Sequence, residues 1–136
     1  MEVPVAVRSL KSTDVFTYDV SAEDHYSSFL TADLYDAEGN FIMRQVELLV
    51  PDKHFDYLKP EFTVHCVDSE QGVKIEIASN VFARGVFLDF DGFDCVFSDN
   101  FFALTDGKPY VVYVRTDKKA EEIQTHLLIQ SVYDIR

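Results

Sequence analysis

Asp89, Asp91, Asp94, Asp99, Asn100 and Asp106 crowd into one stretch, DFDGFDCVFSDNFFALTDG, at residues 89–107. Residues of this type at this density suit three chemistries: a metal loop, a pair of catalytic carboxylates, or the polar corners of β-structure. A calcium loop of the EF-hand kind places acids at alternate positions, then a glycine, then a distant bidentate Glu. In Asp89-Phe90-Asp91-Gly92-Phe93-Asp94 the glycine comes too early and phenylalanines alternate with the acids. That alternation is the period of a strand, with Phe90 facing inward and Asp89 and Asp91 facing water. Glycoside hydrolysis needs two carboxylates, one of them a general acid shielded in a cleft, whereas acids at hairpin tips are exposed. Corners are the expectation.

Other reactive types fare no better. Cys66 follows His65, but neighbours on a strand point to opposite faces and do not pair for nucleophilic catalysis. His25, His54, His65 and His126 show no metal-ligand spacing, and no glycine-rich phosphate loop occurs. The sequence therefore points to no catalytic residue, no metal and no cofactor. Sugar stacking remains, since the chain has 7 tyrosines and 12 phenylalanines but no tryptophan. Tyr18, Tyr26, Tyr57 and Tyr110 are the aromatics expected at the surface, the others falling at alternating core positions.

The elements that must carry these residues are strands. Alternation of period two recurs along the chain, while long stripes of period 3.6 do not. VPVAV (3–7) and VFTYDV (15–20) read as strands. FLTADLYDAEGNFIMRQVELLV (29–50) reads as a hairpin about Ala37-Glu38-Gly39-Asn40, closed by Pro51, which has no N–H to donate. FTVHCV (62–67) and VKIEIAS (73–79) flank a second turn. ARGVFLDF (83–90) and FDCVF (93–97) flank Asp91-Gly92 as a third hairpin, and Thr105-Asp106-Gly107-Lys108 joins FFAL to YVVYVRT (110–116) as a fourth. DKKAEEIQ (117–124) reads as a charged loop or helical turn, and HLLIQSVYDI (126–135) as the last strand. Short strands with a turn every 8–12 residues or so predict an all-β antiparallel sandwich with little helix.

Bulk properties narrow the partners. The 136 residues are 47% hydrophobic, enough for a core, and carry 24 acids against 12 bases, a formal charge of -12. That field repels nucleic acid and anionic lipid but not a neutral sugar. Two cysteines, Cys66 and Cys95, make no disulfide framework; one bridge across a sandwich or two buried thiols both fit. No apolar run approaches the ~20 residues of a membrane span, and nothing resembles a signal peptide. Opening directly on EVPVAV, the chain reads as a segment of a longer protein.

FSDNFFAL (97–104), followed by a glycine-containing turn and a β-rich end, resembles the C-terminal region of β-mannosidases of glycoside hydrolase family two. LYDAEGNF (34–41), LLVPDKHFDYLKPEF (48–62) and IEIASNVFARGVFLDF (75–90) are similar to the stretches that precede that motif. Pro109 after Lys108 departs from the family's usual turn. Residues 1–57, too few strands for a domain of their own, are either part of a preceding sandwich or strands that complete one with another copy. With the resemblance they read as the closing strands of a preceding immunoglobulin-like sandwich, and 58–136 as the C-terminal one. The resemblance also implies a parent that hydrolyses terminal β-linked mannose by a retaining two-carboxylate mechanism on a TIM barrel. No barrel pattern exists here, so no catalytic residue carries over. Phe97, Ser98, Asp99, Asn100 and Phe102 match the family motif and are expected to be structural: the phenylalanines as core anchors, Asp99 and Asn100 as a tight corner that bonds its own backbone and tolerates a left-handed conformation.

The partners so implied are the parent's catalytic barrel and neighbouring sandwich domains, with a saccharide at the rim of its cleft. The parent's implied compartment is periplasmic, secreted or lysosomal. A freestanding carbohydrate-binding module and an adhesion or assembly sandwich that recruits a partner through its edge strands are the competing expectations.

Overall fold

The computed structural model describes residues 1–105 and 107–136. Asp106 lies outside the described residues, and with it the centre of the expected fourth turn. The chain divides into two units, Met1–Phe55 and Asp56–Arg136.

In the first unit, residues 1–28 form turns but no strand, so the strands expected at 3–7 and 15–20 are absent. Val3, Val5, Val7, Val15 and Phe16 are exposed instead. β-propensity is largely the gain from packing on a pleated surface, and neither segment pairs with a described strand. The hairpin does form. Strand β1 (Phe29–Tyr35) pairs antiparallel with β2 (Phe41–Leu48), with a register shift at Leu34/Tyr35. Its turn is closed by backbone bonds from Asp36 to Asn40 and from Gly39 to Asp36, and by one side chain: the Asp36 carboxylate accepts the Glu38 and Asn40 N–H groups and the Asn40 amide. Gly39, at φ 84, supplies the left-handed residue. A single 3-10 turn at Asp52–His54 follows.

The second unit is a sandwich. Strands β3 (Phe62–Ser69), β4 (Gly72–Ser79), β6 (Val96–Phe97) and β8 (Tyr110–Arg115) form one sheet in the order β3-β4-β8-β6. Strands β5 (Ala83–Phe90), β7 (Phe102–Leu104) and β9 (Leu127–Gln130) form the other, in the order β7-β5-β9. Val73, Ile75, Ile77, Val112 and Val114 from the first sheet are buried in clusters with Val86, Leu88, Phe90, Phe102 and Leu104 from the second, so the core lies between two facing sheets. β4 shows the cause most plainly: its burial alternates residue by residue along its whole length.

Among the described residues of this unit, only β3 and β4 form a hairpin. From β4 onward each successive strand changes sheet. The third expected hairpin is therefore a crossover: residues 93–95 are not strand, and β6 pairs with β8 rather than with β5. The fourth is also a crossover, because β7 pairs with β5 and β8 with β4. A turn-forming sequence reverses the chain whether the next strand joins the same sheet or the facing one, which is why both read as hairpins.

The charged run becomes a helix, α1 (Ala120–His126). Glu121 and Glu122 suit its positive N-terminal end, the Asp68 carboxylate of β3 accepts the Ala120 N–H at 2.9 Å, and Ile123 is fully buried. The expected last strand is cut short. After β9 the chain turns into a helix, α2 (Val132–Ile135), where the Asp134 carboxylate accepts the Ser131 N–H at 2.7 Å. No helix among the described residues is long and apolar enough to cross a membrane.

Gly72 shows how tightly β4 and β8 approach. At φ 141 it begins β4, and a Cβ there would collide with the Val114 carbonyl.

Candidate functional site

The motif residues gather at the corner where the chain leaves β6 in one sheet and enters β7 in the other. Ser98 extends the β6–β8 pairing after the strand ends. Its N–H donates to the Tyr113 carbonyl at 2.8 Å, and its hydroxyl accepts the Tyr113 N–H at 2.9 Å. Asp99 then turns the chain. One carboxylate oxygen accepts the Asn100 N–H at 2.8 Å and the other accepts the Tyr110 hydroxyl at 2.5 Å.

Asn100 makes the most far-reaching bonds. Its side-chain oxygen accepts the Leu88 N–H at 2.8 Å while its amide donates to the Leu88 carbonyl at 2.9 Å. The amide thus acts as a piece of strand, satisfying both backbone groups of a core residue on β5. Unpaired, such groups would each be costly in the interior. Local bonding of the expected kind is present too, since the Phe101 N–H donates to the Asn100 oxygen at 3.2 Å. The left-handed residue, however, is Phe101 at φ 60, not Asp99 or Asn100.

Three aromatic pairs surround this corner. Phe102 is buried and stacks on Tyr110 with centroids 4.3 Å apart, and half-buried Phe97 stacks on Phe90 at 4.9 Å. Phe101 stacks on Phe87 at 4.9 Å yet is 70% exposed. Burial, the Asp99 hydrogen bond and the Asp99 charge together push the Tyr110 phenol up to about 12.

The remaining acids of the stretch do not converge. Asp89, Asp91 and Asp94 are exposed, with the Asp89 carboxylate accepting the Phe90 N–H and Asp91 donating its N–H to the His126 carbonyl. Among the described residues no group of three or more His, Cys, Asp or Glu side chains is arranged to hold a metal. Cys66 and Cys95 are free thiols that pack in the same core cluster, and burial pushes the Cys66 thiol up. His65 is exposed where Cys66 is buried, as strand neighbours should be.

Of the tyrosines expected at the surface, Tyr18 and Tyr26 are exposed. Tyr57 is buried against Phe82, and Tyr110 is half-buried on Phe102, so neither offers a platform. Both correct the sequence expectation. The tyrosines it overlooked are Tyr35 and Tyr113, each 52% exposed, the latter on the outer face of β8. The alternation in YVVYVR contains that signal: with Val112 and Val114 inside, Val111, Tyr113 and Arg115 face out.

Two facing antiparallel sheets over one core, with the chain alternating between them and a polar clamp at the corner, define an immunoglobulin-type β-sandwich. Residues 57–135 match the model of the Ig_mannosidase family, an Ig-fold domain, and the chain belongs to that family. No curated protein matches it.

Proposed function

We propose that the chain is a non-catalytic accessory region from the C-terminal end of a β-mannosidase of glycoside hydrolase family two. In that reading the parent hydrolyses terminal β-linked mannose on a separate catalytic barrel. Residues 58–136 are its C-terminal immunoglobulin-like sandwich, and residues 1–57 are the closing strands of the sandwich before it. The observation that carries the reading is the family match over 57–135, which spans the Ser98-Asp99-Asn100 corner. Supporting it, the motif side chains spend their hydrogen bonds on backbone and on Tyr110, which is what a corner clamp does. The role is packing and support beside the catalytic portion, with the barrel and neighbouring sandwiches as partners in the same polypeptide.

Assaying the purified chain with an aryl β-mannoside tests the non-catalytic role: no turnover is expected, and turnover that survives repurification would overturn it. Reading the gene upstream of Met1 tests the parentage. A barrel with two glutamates at strand ends is expected, and its absence would remove the β-mannosidase assignment.

A further inference from the structure

A shallow groove of about 420 Å³ lies beside the β6 edge of the four-stranded sheet, within the range of small-ligand sites. Tyr113 and Arg115 of β8 reach it from one side, Val96 and Phe97 of β6 from the other, and Ser69 and Gln71 from the β3–β4 turn close its end. The register brings them together: Val96 pairs with Arg115, Phe97 with Val114, and Val114 in turn with Val73, next to the turn. Val96 is 76% exposed, an unusual position for valine on a free edge.

The polar groups of this groove are unspent. Among the described residues, the Arg115 guanidinium makes no ion pair, hydrogen bond or ring contact, and the Gln71 amide and Ser69 hydroxyl have no partner. Ser98, which also lines the groove, is different, because its hydroxyl is committed to the Tyr113 N–H. That bond fixes the backbone that carries the Tyr113 ring.

An open aromatic ring, one exposed valine and a fringe of unpartnered donors suit one ligand class. A pyranose presents an apolar C–H face to a ring and hydroxyls at its rim to arginine, amide and serine. An anionic ligand would gain from Arg115 but would meet the field of a chain at -12. We infer that this groove is a binding site for a neutral oligosaccharide, with Tyr113 as the stacking platform and Arg115 and Gln71 as hydroxyl-directed donors. The inference stands on the groove and not on the parent's activity, so it survives or fails independently of the aryl mannoside assay.

The test is titration of the 15N-labelled chain with β-1,4-mannohexaose, with cellohexaose and a galacturonate hexamer as comparison probes. Saturable shifts centred on the Gln71, Val96, Tyr113 and Arg115 amides are expected with a neutral hexamer. Tyr113→Ala should weaken binding about tenfold and Arg115→Gln by several-fold, while Tyr113→Phe, which keeps the ring, should bind nearly as the parent chain does. Both positions are exposed, so thermal unfolding should stay unchanged and a lost site is not mistaken for a lost fold. No saturable shift with either neutral hexamer, shifts that map elsewhere, or equal binding by Tyr113→Ala would overturn the inference. Tighter binding of the galacturonate would overturn its neutral-ligand class.

Discussion

Among the described residues two antiparallel hairpins of nearly equal length occur, and they have opposite fates. In β3–β4 every second residue of β4 is fully or nearly buried, because a second sheet faces it. In β1–β2 the pairing is continuous but for the shift at Leu34/Tyr35, yet of its residues only Leu48 is buried. Leu34, Tyr35, Phe41, Ile42 and Met43 stay exposed. Both ladders satisfy the backbone, so hydrogen bonding does not distinguish them. Exchanging water bonds for ladder bonds nets little, and an isolated two-stranded hairpin is marginal at best. What β1–β2 has instead is local polar structure: the Asp36 turn network and the Asp33–Arg44 pair, bonded twice across the strands at 2.5 and 2.6 Å.

The comparison breaks most sharply at matched leucines. Leu88 on β5 is 1% exposed and sits in the main core cluster, while Leu34 on β1 is 42% exposed. Leu88→Ala should destabilise the sandwich by about 2–5 kcal/mol, through lost transfer energy and the cavity left behind. Leu34→Ala should change it by no more than about 0.5 kcal/mol. Urea unfolding followed by far-ultraviolet circular dichroism distinguishes the two. Similar losses for both variants would mean that the hairpin carries a core of its own.

A second pair sets the two turns against each other, at Asn100 and Asn40. Removing the Asn100 amide leaves the Leu88 N–H and carbonyl without partners inside the sandwich. Asn100→Ala should therefore cost about 2 kcal/mol or more. Asn100→Asp should rescue it only in part, since a carboxylate can accept from the Leu88 N–H but faces the Leu88 carbonyl with no proton to give. Asn40→Ala removes an exposed turn contact, and the freed groups find water. Its effect should appear as faster amide exchange in β1–β2, with the sandwich's unfolding midpoint unmoved. Full stability in Asn100→Ala would show that the corner does not clamp β5.

The legible parts of this molecule are those where one strand's period decides the outcome. FTVHCV, VKIEIAS, ARGVFLDF and YVVYVR each alternate against a buried face, and each is a strand in place. Connectivity was not legible, because Asp91-Gly92 turns the chain equally well within a sheet or between sheets. The segments 3–7 and 15–20 have β-forming composition, but composition cannot supply the pairing that makes a strand. α2 hid in an apolar run although Ser131 and Asp134 stand at capping-box spacing, a signal that was there to be read. At the corner, residue types announced a tight turn. They did not reveal that Asn100 reaches back to Leu88, because a contact across twelve residues depends on the crossover that brings β5 and β7 side by side.

The finest comparison is between two phenols. Tyr18 in the first unit donates to the Glu23 carboxylate at 3.0 Å, and that bond, with the charge behind it, raises its pKa. It is exposed, so salt should screen the charge contribution. Tyr110 is raised from 10.0 to about 12, with burial as the first cause and Asp99 second. A phenol whose folded pKa lies above its unfolded one contributes stability in full below about 10 and loses it as pH climbs through about 12. The sandwich should accordingly weaken across that alkaline window, and Tyr110→Phe, with no proton to lose, should remove this step. Asp99→Asn should bring the Tyr110 titration down by taking away the charge while leaving the ring stacked on Phe102. Tyrosinate absorbance measured at low and high salt reads both sites: the Tyr18 titration should move toward its ordinary position with salt and the Tyr110 titration should hardly move. Equal salt sensitivity at the two would mean that charge, not burial, sets Tyr110, and the contrast between the exposed unit and the packed one would fail at its most local point.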